Sequence, residues 1–137
     1  MGRRKGMKDK KIMVIDDENI VCSMTKAVLE QDGYYVECFT NAKPALDRLK
    51  EEKFDLVITD LKMKGIDGME ALKRIKTESS EIKVIMITAF ASLDAAIEAL
   101  RGKVDDFFPK PVKFSDLKAC IRRLLSQEPV PSTPQPK

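Results

Sequence analysis

Ile12-Met13-Val14-Ile15-Asp16-Asp17 is the stretch on which the fold of this chain turns. Four consecutive apolar residues suit a strand covered on both faces. Two carboxylates stand where the run stops. The arrangement returns downstream: Leu56-Val57-Ile58 leads into Thr59-Asp60, and the run from Ile82 to Ile87 ends on Thr88. Two further runs of strand length, Tyr34 to Phe39 and Val104 to Phe108, complete a set of five, and Lys110 follows the last of them.

Between the runs, apolar residues recur at helical spacing. Val21, Met24 and Val28 form the first such stripe. Ala42, Ala45, Leu46 and Leu49 form the second; Met69, Leu72 and Ile75 the third; Leu93, Ala96, Ile97 and Leu100 the fourth; Leu117, Ile121, Leu124 and Leu125 the fifth. Gly33 stands where the first helix should end. Asn41, Ser92 and Ser115 are the expected N-caps of the second, fourth and fifth helices, and Pro44 is tolerable in a first turn. Five alternating strand–helix units predict an α/β fold, a doubly wound parallel sheet with helices on both faces.

The polar residues gain meaning from this map. Asp16, Asp17, Asp60, Thr88 and Lys110 all fall at the carboxyl ends of strands, where a doubly wound sheet opens its ligand crevice. Carboxylates crowded together resist joint ionisation. A hard divalent cation such as Mg²⁺ relieves that repulsion and takes oxygen ligands. Lys110 supplies a mobile positive charge and Thr88 a hydroxyl donor. The set suits phosphoryl transfer, with one carboxylate as nucleophile. Each residue also has a plainer role: Asp17 or Glu18 as a helix cap, Thr88 as a β-former, Lys110 as a solvated loop residue. Their joint placement favours the site.

Composition narrows the alternatives. The chain has 137 residues, 43% hydrophobic and 34% charged, which is ordinary for one globular domain. The net charge of +3 comes from the first eleven residues, where Arg3, Arg4, Lys5, Lys8, Lys10 and Lys11 face only Asp9; the rest is slightly acidic. With no aromatic residue among them, those basic residues lack the stacking part of a single-strand binder, and no direct nucleic-acid binding is expected. There is no histidine, and Cys22, Cys38 and Cys120 lie far apart in sequence, which disfavours zinc. An odd cysteine count suits a reducing cytosol. No run is long enough for a membrane span and no leader is evident, so a cytoplasmic location with no membrane partner is expected. The expected organisation is a basic arm over 1–9, a domain over 10–126 and a Pro-rich linker or tail over 127–137.

The chain resembles the receiver domains of two-component response regulators over roughly residues 10–126. The resemblance rests on Val14-Ile15-Asp16-Asp17-Glu18, on the stretch from Asp55 to Met63, on Asp67-Gly68-Met69, Ile87-Thr88-Ala89 and Lys110-Pro111. The stretch from Thr88 to Leu100 looks most like receivers of the nitrogen-regulatory activators. The resemblance implies a flavodoxin-like (βα)5 fold with strand order 2-1-3-4-5. It implies Asp60 as phosphoacceptor, Asp17 as a direct Mg²⁺ ligand, Asp16 as a direct or water-mediated one, and a Lys62 backbone carbonyl ligand. Thr88 and Lys110 would hold phosphoryl oxygens, and Phe107 would be the switch aromatic that moves with Thr88. Phe90 would flank the path of attacking water. Implied partners are a sensor histidine kinase and an output domain or protein, with a dimer through the face of the fourth helix, fifth strand and fifth helix. The resemblance implies a domain that accepts a phosphoryl group on itself rather than turning over a separate substrate.

Three positions depart from the family: Lys64 for a proline, Lys103 for a glycine, and Phe107 for the commoner tyrosine. The competing reading is an aspartyl-phosphate hydrolase, which usually carries a second Asp two residues after its nucleophile; that position is Lys62. A non-phosphorylated scaffold is the third.

Overall fold

The computed structural model describes residues 10–61, 68–89, 92–101 and 103–126. Five strands and five helices alternate: β1 Lys11–Ile15, α1 Asn19–Gln31, β2 Tyr35–Phe39, α2 Ala42–Glu51, β3 Leu56–Thr59, α3 Gly68–Glu78, β4 Lys83–Thr88, α4 Leu93–Arg101, β5 Asp106–Pro109 and α5 Phe114–Ser126. The strands form one parallel sheet in the order β2-β1-β3-β4-β5, as expected.

Side chains alternate across the sheet, so each strand feeds two cores. Met13, Ile15, Val57, Val84 and Met86 pack with Leu46 of α2, Leu72 and Ile75 of α3 and Ala99 of α4. Ile12, Val14, Leu56, Ile58, Ile85 and Ile87 pack with Leu29 of α1 and with Leu117, Ile121 and Leu124 of α5. Burial on both faces is why β1, β3 and β4 read as unbroken apolar runs. The edge strands are less covered: β2 keeps Tyr35 exposed, and β5 ends on Pro109, which only an edge tolerates.

Several local expectations hold. Gly33 follows α1 with φ 92°, and its N–H reaches the Glu30 carbonyl. The Asn41 side chain caps α2 by accepting from the Lys43 N–H. Others are corrected. The buried stripe of α1 is Cys22, Thr25 and Leu29, one residue on from the apolar spacing, and Met24 is exposed. Small side chains at 22 and 25 let the helix lie close on the sheet. Ile97 of α4 likewise faces out, while Ala99 is buried. Ser115 lies inside α5 and does not cap it, because Phe114 already packs on the core and the first turn closes from Leu117 N–H to the Lys113 carbonyl. β5 starts at Asp106 rather than Val104, because the Val104 N–H is spent on the Ala99 carbonyl at the end of α4.

Lys103 takes φ 69°, the left-handed conformation that glycine favours. The departure from glycine thus leaves the backbone turn in place and puts a side chain on it. Cys22 of α1 and Cys38 of β2, far apart in sequence, are joined as a disulfide, with their Cα atoms 5.9 Å apart.

Candidate functional site

Asp16 follows the last residue of β1, Asp60 the last of β3, and Thr88 ends β4. Backbone bonds fix these ends against each other. The Asp60 N–H donates to the Ile15 carbonyl at 3.1 Å, the Asp16 N–H to the Phe39 carbonyl at 3.0 Å, and the Lys110 N–H to the Thr88 carbonyl at 2.8 Å. The last contact carries Lys110 out of β5 beside Thr88. The Lys110–Pro111 peptide is cis.

Carboxylate oxygens of Asp16, Asp17 and Asp60 lie within 4.8 Å of one another. Asp16 and Asp60 are buried and Asp17 is exposed. Lys110 Nζ stands 2.8 Å from Asp60 Oδ2, 2.9 Å from Asp16 Oδ2 and 3.1 Å from Glu18 Oε1. Neither Asp17 nor Glu18 caps α1: Glu18 sits at the cap position without a side-chain capping bond, and Asp16 Oδ1 accepts its N–H at 2.9 Å. The plainer role for those acids is therefore not the one they play.

The charges are uneasy. Burial pushes the Asp16 carboxyl above its ordinary 3.8, against the opposing pull of the Glu18 N–H and of Lys110. Burial also disfavours the Lys110 ammonium, yet its bonds to Asp60, Asp16 and Glu18 win and hold its pKa above that of an ordinary lysine. Among the described residues the strand ends thus gather three carboxylates around one lysine, with Asp17 as a fourth beside Asp16 and Asp60. An all-oxygen, acid-rich donor set of this kind fits a hard divalent cation.

Thr88 is fully buried in the last position of β4. Phe107 of β5 pairs in register with Met86 and packs, half-buried, on the core beneath α2, α3 and α4. Lys62, Lys64 and Phe90 lie outside the described residues. Sequence reading assigned no contact to Glu18 beyond a cap; its place on Lys110 follows from the turn of the chain after Asp17.

The response regulator receiver domain model matches residues 12–122, inside the expected 10–126. This chain belongs to the response regulator receiver domain family. The transcriptional regulatory protein ZraR of Klebsiella oxytoca is 39% identical over 128 residues, 90% of this chain and 29% of that protein. The receiver domain thus spans under a third of that relative's length, and the match agrees with the likeness to activator receivers. A CheY-like receiver domain from Methanospirillum hungatei superimposes with TM-score 0.82 at 33% identity, over 85% of this chain and 93% of that one. The response regulator TrrA of Thermotoga maritima, solved in complex with Mg²⁺-BeF, gives TM-score 0.78 at 30% identity, over 85% of this chain and all of that one. No helix among the described residues of the receiver is long and apolar enough to cross a membrane.

Proposed function

We propose that Asp60 accepts a phosphoryl group from a sensor histidine kinase, with Mg²⁺ held beside it. The observation that carries this reading is Lys110 Nζ at 2.8 Å from Asp60 Oδ2, within an acid cluster that Asp16 and Asp17 complete. That a relative of the same fold was solved with Mg²⁺-BeF supports the choice of ion. Asp16, Asp17, Asp60 and the Lys62 carbonyl are the groups we assign to it. When bound, Mg²⁺ supplies positive charge against the carboxylates and the incoming phosphoryl oxygens.

The remaining chemistry belongs to the side chains. An Asp60 carboxylate oxygen forms the new bond to phosphorus as the nitrogen–phosphorus bond of the donor breaks, and the electron pair returns to the donor imidazole. Lys110 exchanges its carboxylate contact for a phosphoryl oxygen, and the Thr88 hydroxyl donates to another. Positioning and fixed charge supply most of the catalysis in such a transfer. The product is an acyl phosphate on the protein itself, so no separate substrate is turned over. Movement of Thr88 toward the phosphoryl group draws Phe107 inward and shifts the face of α4, β5 and α5 between two states. That face then meets an output domain, a partner protein or a second copy. We assign the domain to the cytoplasm, with 1–9 as an arm and 127–137 as a linker or tail.

The test is intact mass after incubation with Mg²⁺ and acetyl phosphate. Wild type should gain one base-labile phosphoryl group, and Asp60→Asn should gain none while remaining folded. Modification of Asp60→Asn at the wild-type rate would reassign the acceptor. No gain by wild type from acetyl phosphate or from phosphorylated histidine kinases would reject the reading.

A further inference from the structure

We propose that Cys22 and Cys38 are a reversible thiol–disulfide site that fastens the first turn of α1 to the end of β2. Their Cα atoms lie 5.9 Å apart, within the range that a disulfide spans without backbone movement. No spacing motif pairs them; the crossover from β1 through α1 to β2 does.

Cys22 Sγ lies 3.8 Å from the Val14 carbonyl oxygen and 3.6 Å from that of Phe39, so a thiol released there has acceptors within reach. Disulfides in a cytosolic protein are usually transient and redox-sensing rather than structural. The two sulfurs also differ in access: Cys22 is buried at 2% exposure, while Cys38 is half-buried. Cys38 is therefore the sulfur that meets a reagent first.

The third cysteine is a built-in contrast. Burial, with Asp106 beside it, pushes the Cys120 thiol up to about 12, and its Sγ donates to Asp106 Oδ2 at 3.1 Å. It lies on α5, in the same core layer as Cys22 and Cys38, and stays a thiol.

The oxidant we name is a small-molecule disulfide. The Cys38 thiolate attacks one of its sulfurs and expels one thiol, leaving a mixed disulfide. The Cys22 thiolate then attacks Cys38 Sγ and expels the second thiol. Two protein thiols are oxidised, one small disulfide is reduced to two thiols, and a dithiol reverses the sequence.

The bridge matters because of what lies between its ends. Cys22 N–H donates to the Glu18 carbonyl, and the carbonyl of Phe39, next to Cys38, accepts from the Asp16 N–H. The turn holding Asp16, Asp17 and Glu18 is thus anchored on one side by Cys22 and on the other by the chain neighbour of Cys38. Oxidation stiffens that turn independently of whether Asp60 is ever phosphorylated.

The experiment equilibrates the whole chain with oxidised or reduced glutathione, alkylates under denaturing conditions and reads intact mass. Reduced protein should take three alkyl groups. Oxidised protein should take one, mapped to Cys120, and return to three after dithiothreitol. Cys22→Ser should trap a glutathionyl adduct on Cys38. Closing a loop of 16 residues should raise the melting temperature by on the order of 10 °C in the oxidised wild type, and not in either Cys→Ser variant. Three alkylatable thiols after oxidised glutathione, a bond that dithiothreitol leaves intact, or equal melting of oxidised and reduced wild type would overturn the proposal.

Discussion

The two ends of the sheet handle charge in opposite ways. At the amino end, Lys11 and Lys76 each pair with an acid of their own. Lys11 Nζ pairs with Glu52, and its backbone N–H donates to Asp55 Oδ2 at 2.8 Å. Lys76 Nζ stands 3.1 Å from Asp105 Oδ2, which also accepts the Val84 N–H at 2.8 Å. At the carboxyl end, Asp16, Glu18 and Asp60 share Lys110, and Asp17 adds a fourth carboxylate beside Asp16 and Asp60. Among the described residues, one end pairs its lysines singly and the other gathers more acids than bases. A balanced cluster stabilises the fold and has nothing left to bind, whereas an acid excess works against the fold and waits for a cation.

The sharpest way to break this comparison is to remove the shared lysine. Lys110→Ala leaves Asp16 and Asp60 buried without that cation. Urea unfolding without divalent ions should show a loss of about 3 kcal/mol, the range for one partner removed from a buried ion pair. Saturating Mg²⁺ should restore much of that, because a ligand of the native state stabilises it by mass action. No stabilisation of either protein by Mg²⁺ would mean that the acids do not bind the ion. At the amino end, Asp105→Ala should cost about 1–2 kcal/mol, since the Val84 N–H loses this acceptor and Lys76 keeps only the Ile82 carbonyl of its two. Mg²⁺ should recover none of it. Recovery there would erase the distinction between the ends.

Much of the carboxyl end was legible in sequence because chemistry and topology coincide there. Asp16, Asp60, Thr88 and Lys110 each follow an apolar run, and a parallel sheet brings all such positions to one edge. The amino end was not legible. Lys11, Glu52, Lys76 and Asp105 meet across elements, and no spacing along the chain announces which acid will face which base. The same is true of Cys22 and Cys38, which only the β1–α1–β2 crossover places side by side. The α1 stripe was misread by one position because Val21 and Val28 are apolar yet flank the contact, while Thr25, a polar residue, is buried within it. The start of β5 was missed because apolar spacing does not reveal that the Val104 N–H closes the preceding helix.

Lys103 sharpens the contrast on a smaller scale, in the turn that leads to the amino end of β5. Its φ of 69° costs a residue with a Cβ roughly 1 kcal/mol that glycine does not bear. Part of that gain is offset by the greater freedom of glycine in the unfolded chain. Lys103→Gly should therefore stabilise by about 0.5–1 kcal/mol in thermal melts, with no change in response to Mg²⁺. A loss of stability would show that the lysine side chain contributes more than its backbone costs.

The smallest expected effect tests the paired side of the comparison by pH. Glu37 of β2 receives Arg48 Nε at 2.8 Å and Nη2 at 2.9 Å, a two-pronged contact at the sheet edge. That guanidinium, helped by the Tyr35 hydroxyl and Lys11, holds the Glu37 carboxyl at about 2 against its ordinary 4.5, although partial burial pulls the other way. A depressed carboxylate pKa means that the unfolded chain takes up the proton first as pH falls. The contribution of Glu37 is then fully present above about 4.5 and drains away toward about 2. Glu37→Gln should melt a few degrees below wild type at neutral pH, as a partly exposed ion pair allows. The two melting curves should converge as pH is lowered from 5 toward 2, and high salt should narrow the gap at neutral pH. A gap that is constant across that range would assign the loss to packing of the side chain, and the Glu37–Arg48 pair would then have to be read as geometry rather than charge.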